Sequence, residues 1–594
     1  MAIITYRRMF LAAALLAAAA CNGGGEGKDA DASDQETGDV PPDFLLDLPD
    51  VPDGDAAEEP RDAPDADAPE DVEAEEDAPD VPPPPIPIGF WCGPPDAFIS
   101  PERYAEVLGA GFNFLMPPCE GAPTSERNTL ILDAAADAGI RAWIGDGRMP
   151  MAVTGIPDAT DRLDAIVADY ASHPALAGYY ITDEPGAAAF AGLAEVVAYL
   201  RSIDPSHPAY INLLPNYATS EQLGTPTYRE HVQQFLDVVQ PEILSYDHYH
   251  FLVDGDRPGF FDNLAVVREL ALLSDVPFWQ IVLLTQHYGY RHLTEPELLW
   301  EAMHTLVYGG KGVMFFTYWS VPDAAFQPAV IALDGTRTAY YDQIARVNAA
   351  ARAIGSRLME ATSTGVFQNG PLAPGGAPRP PGAAVLIPGE APVTAGIFEA
   401  GADTPVLLVN RDYAGAVSFD ALLAAGSAPP EKLDEASGLW ADAAAVPQPD
   451  GTLQVHVDLA PGDGDLFLLH GPLSAGPPGP EVMIGIVRAD AGFMHMVDSD
   501  HGTATIGPGS WDTCFPGFTL DGHDVQSNGF WLCARDDLLS RTFYVGNVVA
   551  DEGFYYRVQG GAVERLADAS WNTCAEGSLL GTYFESDGFW ICML

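Results

Sequence analysis

Gly178-Tyr-Tyr-Ile-Thr-Asp-Glu-Pro185 is a short apolar run that stops on two acids and a proline. A run of this kind reads as a parallel strand buried on both faces. Its acids then sit where the strand leaves the sheet. In a (β/α)8 barrel that end of each strand carries the chemistry, and a carboxylate there is a candidate acid or base for breaking a glycosidic bond. The plainer alternative is a strand-to-helix turn in which Asp183 or Glu184 caps the next helix. The surrounding pattern separates the two.

Strand-like and helix-like segments alternate from Ile86 to about Gly355. The strand candidates are Ile86–Trp91, Phe112–Met116, Arg141–Ile144, Ala177–Thr182, Ala209–Leu214, Glu242–Tyr246, Phe278–Leu284 and Gly312–Tyr318. Between them the spacing predicts helices, among them Pro101–Gly109, Arg127–Ala138, Asp161–Ala171, Ala189–Ser202, Tyr228–Val239, Asp262–Ser274 and Glu295–Tyr308. Eight such units in about 270 residues are the size of a (β/α)8 TIM barrel. A doubly wound open sheet would call for a Gly-x-Gly-x-x-Gly loop after the first strand, and there is none. From Ser356 the helical pattern fades. Gly and Pro punctuate the short runs Ala383–Ile387, Val406–Val409, Leu453–Val457 and Asp465–Leu469, which predict an all-β sandwich over 356–474. Gly476-Pro-Pro-Gly-Pro-Glu481 reads as a linker. Over 481–594 the sequence repeats with a period of about 60: Ser510-Trp-Asp-Thr-Cys514 returns as Ser570-Trp-Asn-Thr-Cys574, and Ser527-Asn-Gly-Phe-Trp-Leu-Cys533 as Ser586-Asp-Gly-Phe-Trp-Ile-Cys592. The expected class is therefore α/β: a barrel (86–355), an all-β sandwich, and a duplicated, disulfide-containing β-rich module. Trp511, Trp531, Trp571 and Trp590 are either the cores of its two copies or ligand platforms.

The chain has 594 residues, 47% of them hydrophobic and 10% aromatic, enough for several cores. Its formal charge of −58 is unevenly spread: Lys28–Pro82 holds 22 Asp or Glu against Lys28 and Arg61. That stretch is rich in Pro and Ala and poor in aromatics, so it is expected to stay disordered and extended. The remainder is still acidic, which argues against nucleic acid as a partner. Arg7 and Arg8 precede an apolar run, Met9–Ala20, too short for a membrane span and fitting a signal-peptide core. Leu16-Ala-Ala-Ala-Ala-Cys21 resembles the lipobox of bacterial lipoproteins. The resemblance implies lipidation of Cys21, a cell-envelope location at a periplasmic or surface-exposed membrane face, and a tether formed by residues 22–85. Plain secretion is the alternative. Six further cysteines in an exported chain predict three disulfides. Cys92 and Cys119 each follow one of the first two strands, and each repeat copy holds a pair, Cys514 with Cys533 and Cys574 with Cys592. No spacing matches a zinc site, and Asp498-Ser-Asp-His-Gly502 lacks a calcium loop's ligand set.

Residues just past each strand form the candidate active face. They are Trp91; Glu120; Asp146 and Arg148; Asp183 and Glu184; Asn212 and Asn216; Tyr246, Asp247, His248, Tyr249 and His250; Gln280, Gln286 and His287; and Tyr318 with Trp319. Acids and amides that bind hydroxyls, with aromatic faces that stack on pyranose rings, suit a carbohydrate. A phosphate site would need basic residues and glycine loops, which are scarce. No cofactor or metal is required.

Asp183-Glu184-Pro185 after strand four and Trp319 after strand eight resemble clan-A glycoside hydrolases, where Asn-Glu-Pro and a Trp stand in those places. The segment Ala302–Trp319 is similar to uncharacterised barrels of the β-galactosidase type. The resemblance covers roughly Ile86–Gly355 and implies that Glu184 is the proton donor. Asp183, where Asn is usual, would hold a hydroxyl or raise the Glu184 pKa by like charge. Asp146, Trp91, Asn212, Tyr246, His248 and Trp319 would complete the sugar site. The chain departs from the family at strand seven, Phe278–His287, which lacks the usual nucleophilic Glu and carries Gln280 and Gln286. Either Asp247, or less directly Asp146 or Glu120, supplies the second carboxylate, or the strand register is different and Glu295 or Glu297 takes part, or the barrel binds glycan without cleaving it.

Overall fold

The computed structural model describes residues 83–474, except 381 and 450, and then the strands of the C-terminal module with residues 514, 529, 541 and 542 beside them. Cys21, the proposed tether to residue 82, Trp511, Trp571 and Cys574 lie outside the described residues.

Eight parallel strands form the barrel: β1 Ile88–Trp91, β2 Phe114–Leu115, β3 Arg141–Ile144, β4 Leu176–Asp183, β5 Ala209–Leu213, β6 Leu244–Asp247, β7 Phe278–Leu283 and β8 Gly312–Phe316. They are ordered β1-β8-β7-β6-β5-β4-β3-β2. The seam between β1 and β2 closes through Asn113 N–H to Ile88 O at 3.0 Å and Met116 N–H to Phe90 O at 3.3 Å. A disulfide between Cys92 and Cys119, with Cα atoms 4.9 Å apart, ties the two strand exits together.

Helices follow the strands in turn: α1 Pro101–Gly109, α2 Ser125–Ala138, α3 Ala159–Tyr170, α4 Phe190–Ile203, α5 Tyr228–Val239, α6 Phe260–Leu273, α7 Glu295–Val307 and α8 Tyr340–Arg357. Ser100 and Thr124 cap α1 and α2, and Thr227 with Glu230 forms a capping box on α5. Glu297 accepts from Thr294 N–H at 2.7 Å at the start of α7, so it is a capping acid and not part of β7.

The elements differ from the sequence reading mainly at their ends. Strand two shrinks to Phe114–Leu115. The apolar run Gly312–Tyr318 stops being strand at Phe316, where the chain turns and Thr317 Oγ1 donates to Trp319 O at 3.0 Å.

Aromatic bulk fills the barrel interior. Trp143 lies 5.1 Å from Tyr210 and 6.1 Å from Trp279, with Trp91, Phe114, Ile281 and Met314 in the same cluster. Gly178, which opens the β4 motif, makes room for this. A Cβ there would fall 2.3 Å from the Trp143 ring and 2.4 Å from Pro208 O.

A six-stranded antiparallel sheet and a four-stranded one follow, together enclosing a separate core that includes Val385, Val406, Leu408, Val455 and Phe467. This β-structure docks on α7: Trp300 Nε1–H donates to Arg411 O at 2.9 Å. The C-terminal module is two five-stranded antiparallel sheets of matching strand order. Even their irregularities match, with register shifts at Leu520/Gly522 and Leu579/Gly581. Trp531 and Trp590 are fully buried, so both are core residues. Cys514 and Cys533 form a disulfide.

Candidate active site

The site grows from the exit of β4. β4 pairs with β5 so that Asp183 lies beside Asn212, and β5 pairs with β6 so that Asn212 lies beside Ser245. Side chains alternate across a strand. Tyr210 and Asn212 therefore share the inward face of β5, and Ser245 and Asp247 that of β6. Glu184 leaves the strand with φ of +45°, although a residue before proline is normally held to extended values. A left-handed conformation in a residue other than glycine costs on the order of 1–3 kcal/mol. Its N–H is secured on Asn212 O at 2.8 Å. The turn departs from strand alternation, and the Glu184 side chain joins the network to which Asp183 belongs.

Asn212 organises that network. Its Nδ2 donates to Asp183 Oδ1 and to Asp247 Oδ1, each at 3.1 Å. Its Oδ1 accepts from Ser245 Oγ at 3.0 Å. Ser245 has thereby committed its only hydrogen, so in its 2.7 Å contact with Tyr210 the phenol must be the donor. The hydrogens of Ser245 and Asn212 thus point toward the two aspartates, while the Tyr210 hydroxyl also reaches Met314 Sδ at 3.2 Å. Glu184 and Asp247 share a hydrogen bond between their carboxyl groups, which requires a proton on one of them.

Charge follows from this geometry. Burial first, and then the Asp247 and Asp183 charges, push the Glu184 pKa well above the carboxylate range. Asp247 is raised to about 7 by burial and by Asp183, against the lowering effect of its bonds to Asn212 and Glu184. Asp183 is raised to about 6 by burial, again opposed by Asn212. Asp183 and Glu184 keep an edge open to solvent, but the protein packed around each carboxyl outweighs that edge. Asp247 is only 4% exposed. No arginine or lysine among the described residues pairs with the three. Arg257, close by, is held 3.9 Å over the Tyr217 ring and on Tyr290 OH at 3.2 Å. Like-charged neighbours in a low-dielectric mouth keep a proton on the cluster at neutral pH. Among the described residues no group of three or more His, Cys, Asp or Glu is disposed to hold a metal ion.

The structure brings together Asp183, Glu184, Asn212 and Asp247, with Trp91 packed edge-on against Tyr180 at 5.0 Å. The other expected site residues are placed elsewhere. Asp146 is locked by Arg148, which donates from Nε at 2.9 Å and from Nη2 at 2.8 Å, and by Tyr170 OH at 2.7 Å. Those bonds outweigh burial and hold its pKa low. Tyr246, next to Asp247 on β6, faces the opposite way into the barrel–helix core and is fully buried. His248 is equally buried, its ring between Tyr217 and Phe260, and burial lowers its pKa far below normal. Trp319 packs against Phe98 and under Arg103. Glu120 is exposed. Gln280 is buried, and its Oε1 accepts from Thr305 at 2.7 Å.

Two residues not singled out from sequence, Ser245 and Tyr210, also belong to the site. Ser245 and Tyr210 were legible from the two-residue period, being two positions before Asp247 and Asn212. The Tyr249 phenol is close enough to feel all three carboxylates, and its ring stacks 5.6 Å from Phe316. His287 stacks at 4.6 Å on Phe326 from the segment after β8. That segment also forms an open cleft of about 570 Å³ lined by residues such as Pro322, Asp323, Gln327 and Leu333, and by none of the three carboxylates.

No protein-family model matches the chain, and no curated protein does. Solved structures with a similar course of chain include a putative alpha-L-fucosidase from Bacteroides thetaiotaomicron (13% identity, 49% of this chain and 100% of that one, TM-score 0.33). Others are a glycoside hydrolase family 5 protein from Bacteroides vulgatus (12%, 66% and 93%, TM-score 0.43) and the family 30 subfamily 8 xylanase Xyn30A from Clostridium acetobutylicum (10%, 66% and 97%, TM-score 0.35).

Proposed function

We propose that this protein is a glycoside hydrolase acting on a poly- or oligosaccharide, with Glu184 as general acid. The observation that carries the reading is the hydrogen-bonded Glu184–Asp247 pair at the C-terminal mouth of the barrel, where burial and the Asp247 and Asp183 charges push the Glu184 pKa well above the carboxylate range. A donor of this kind must hold its proton until the glycosidic oxygen arrives and then release it as the bond breaks. Asp247 is the partner carboxylate, Asn212 positions the aspartates, and Tyr249 with Phe316 offers an aromatic face to a sugar ring. In the same reading Cys21 carries a lipid and the acidic segment tethers the enzyme to the cell envelope. If so, Cys21→Ser moves the protein from the detergent phase to the aqueous phase on phase partitioning.

The test of the activity is a glycoside panel read with wild type and Glu184→Gln. Loss of turnover by about 10²–10⁴-fold with glycan binding retained is the expected result. Normal turnover by the variant would refute the assignment. Binding without turnover by wild type would make the protein a glycan-binding surface protein instead.

A further inference from the structure

The three carboxylates fit neither of the usual two-carboxylate spacings. A hydrogen bond joins Glu184 to Asp247, so the two carboxyls meet directly, with no gap between them for a sugar carbon or a water. A carboxylate nucleophile needs about 5–5.5 Å from the acid, and an inverting base about 6.5–9.5 Å to admit a water. The other acids nominated for this face, apart from the exposed Glu120, are committed to partners of their own. β7 leaves the sheet through Leu284-Thr285-Gln286-His287. Glu295 and Glu297 are ion-paired to Arg346 and Arg291. Asp146 is committed to Arg148 and Tyr170.

Asp183 has a different disposition. It is the sequence neighbour of Glu184, and the two, unlike Asp247, keep an edge open to solvent. Its Oδ1 accepts from Asn212, and among the described residues no protein group is recorded donating to its Oδ2. An ionised carboxylate beside the acid, without an arginine or lysine partner, is suited to accept an N–H from the substrate and unsuited to an anionic sugar.

We propose that the substrates are 2-acetamido-2-deoxy glycosides, that the nucleophile is the substrate's own acetamido carbonyl oxygen, and that Asp183 holds the amide N–H. The inference rests on Glu184 being the acid. On such a sugar the amide nitrogen and the scissile oxygen are carried by adjacent carbons, as Asp183 and Glu184 are adjacent on the chain. Glu184 gives its proton to the glycosidic oxygen as the C1–O bond breaks. The acetamido oxygen bonds to C1, and the amide proton passes to Asp183. The products of this step are a free alcohol, a neutral oxazoline, ionised Glu184 and protonated Asp183. Water then attacks C1 and gives a proton to Glu184. The C1–oxazoline bond opens, and Asp183 returns its proton to nitrogen. One water is consumed, and no oxidant or reductant takes part. Attack from the face opposite the leaving group requires a 1,2-trans linkage and retains configuration. Asp247 does not touch the sugar and acts as a positioning residue through Glu184.

The experiment compares full-length protein on aryl 2-acetamido-2-deoxy-β-hexosides and on the matched 2-hydroxy glycosides, and then on N-mono-, di- and trifluoroacetyl analogues. Cleavage confined to the acetamido series, with kcat falling at each fluorination step as the carbonyl oxygen loses nucleophilicity, is expected. Asp183→Asn should lower kcat by about 10²–10³-fold with KM little changed, and the fluorination series on wild type stands whether or not that variant folds. Equal cleavage of the 2-hydroxy glycosides, or indifference to fluorination, would overturn the inference while leaving Glu184 as acid. Absence of hydrolysis in the acetamido series would overturn the inference, whereas the proposed function stands or falls on the wider glycoside panel.

Discussion

Asp146 and Asp247 are carboxylates of the same kind at equivalent places, the exits of β3 and β6, and the fold gives them opposite electrostatic characters. Asp146 receives a fork of guanidinium hydrogens and a phenol, and its pKa is lowered. Asp247 receives one amide hydrogen and sits against Asp183 and Glu184, and its pKa is raised. Residue type and strand position therefore do not pick out a proton-handling carboxylate in a barrel; the identity of its nearest partner does. A carboxylate paired with a cation has spent its electrostatic freedom on structure, whereas one paired with another acid retains a proton that chemistry can use.

The strongest way to break the contrast is to neutralise each side. Asp146→Asn should leave kcat within a few-fold of wild type, against the thousand-fold scale expected for Glu184→Gln, and should cost about 1–3 kcal/mol of stability by leaving Arg148 and Tyr170 without their acceptor. Turnover lost in Asp146→Asn at unchanged stability would dissolve the distinction. A second test uses pH and reads urea midpoints. The folded-state pKa of Asp146 is lowered, so its contribution is present at neutral pH and disappears as pH falls below the ordinary carboxylate range. The penalty of Asp146→Asn should fade in acid. Asp247 moves the other way, from 3.8 to about 7. The Asp247 contribution to stability should fall as pH rises from about 4, levelling off above about 7. Asp247→Asn should therefore be the more stable protein at pH 8 and show no advantage at pH 4, and the same sign at both positions would contradict the assignment. The smallest expected effect belongs to Asn212→Ala. Its amide lowers the pKa of both aspartates, so removing it should shift the acid limb of the pH–rate profile upward and reduce kcat by roughly ten-fold or less. An unmoved limb would mean that the amide does not set those charges.

Much of this contrast is legible in the sequence, because period-two runs locate strands and strand exits locate the candidate face. Glu184, Asp183, Asn212 and Asp247 emerged that way. Tyr246 was expected beside Asp247 although strand alternation already put the two on opposite faces. Trp319 was expected at the sugar from resemblance, but the turn after Phe316 sends it to Phe98 instead. What sequence could not give is contact across strands: that Arg148 reaches back to Asp146 and that Glu184, turned by its left-handed backbone, meets Asp247. Such contacts depend on register and side-chain direction, which local pattern does not encode.

The β1–β8 ladder bears on the order of assembly. Most neighbouring strands are joined by a single helical crossover, but β1 must pair with β8, some two hundred residues away along the chain. That ladder bears the largest loop-closure cost in the sheet and belongs to the end of folding. On its other side, β1 meets β2 through the Cys92–Cys119 link, which spans only 27 residues. The first strand thus has one neighbour secured locally and one that arrives last. The covalent link can hold an otherwise short β1–β2 pair in place as a nucleus on which the rest of the barrel closes.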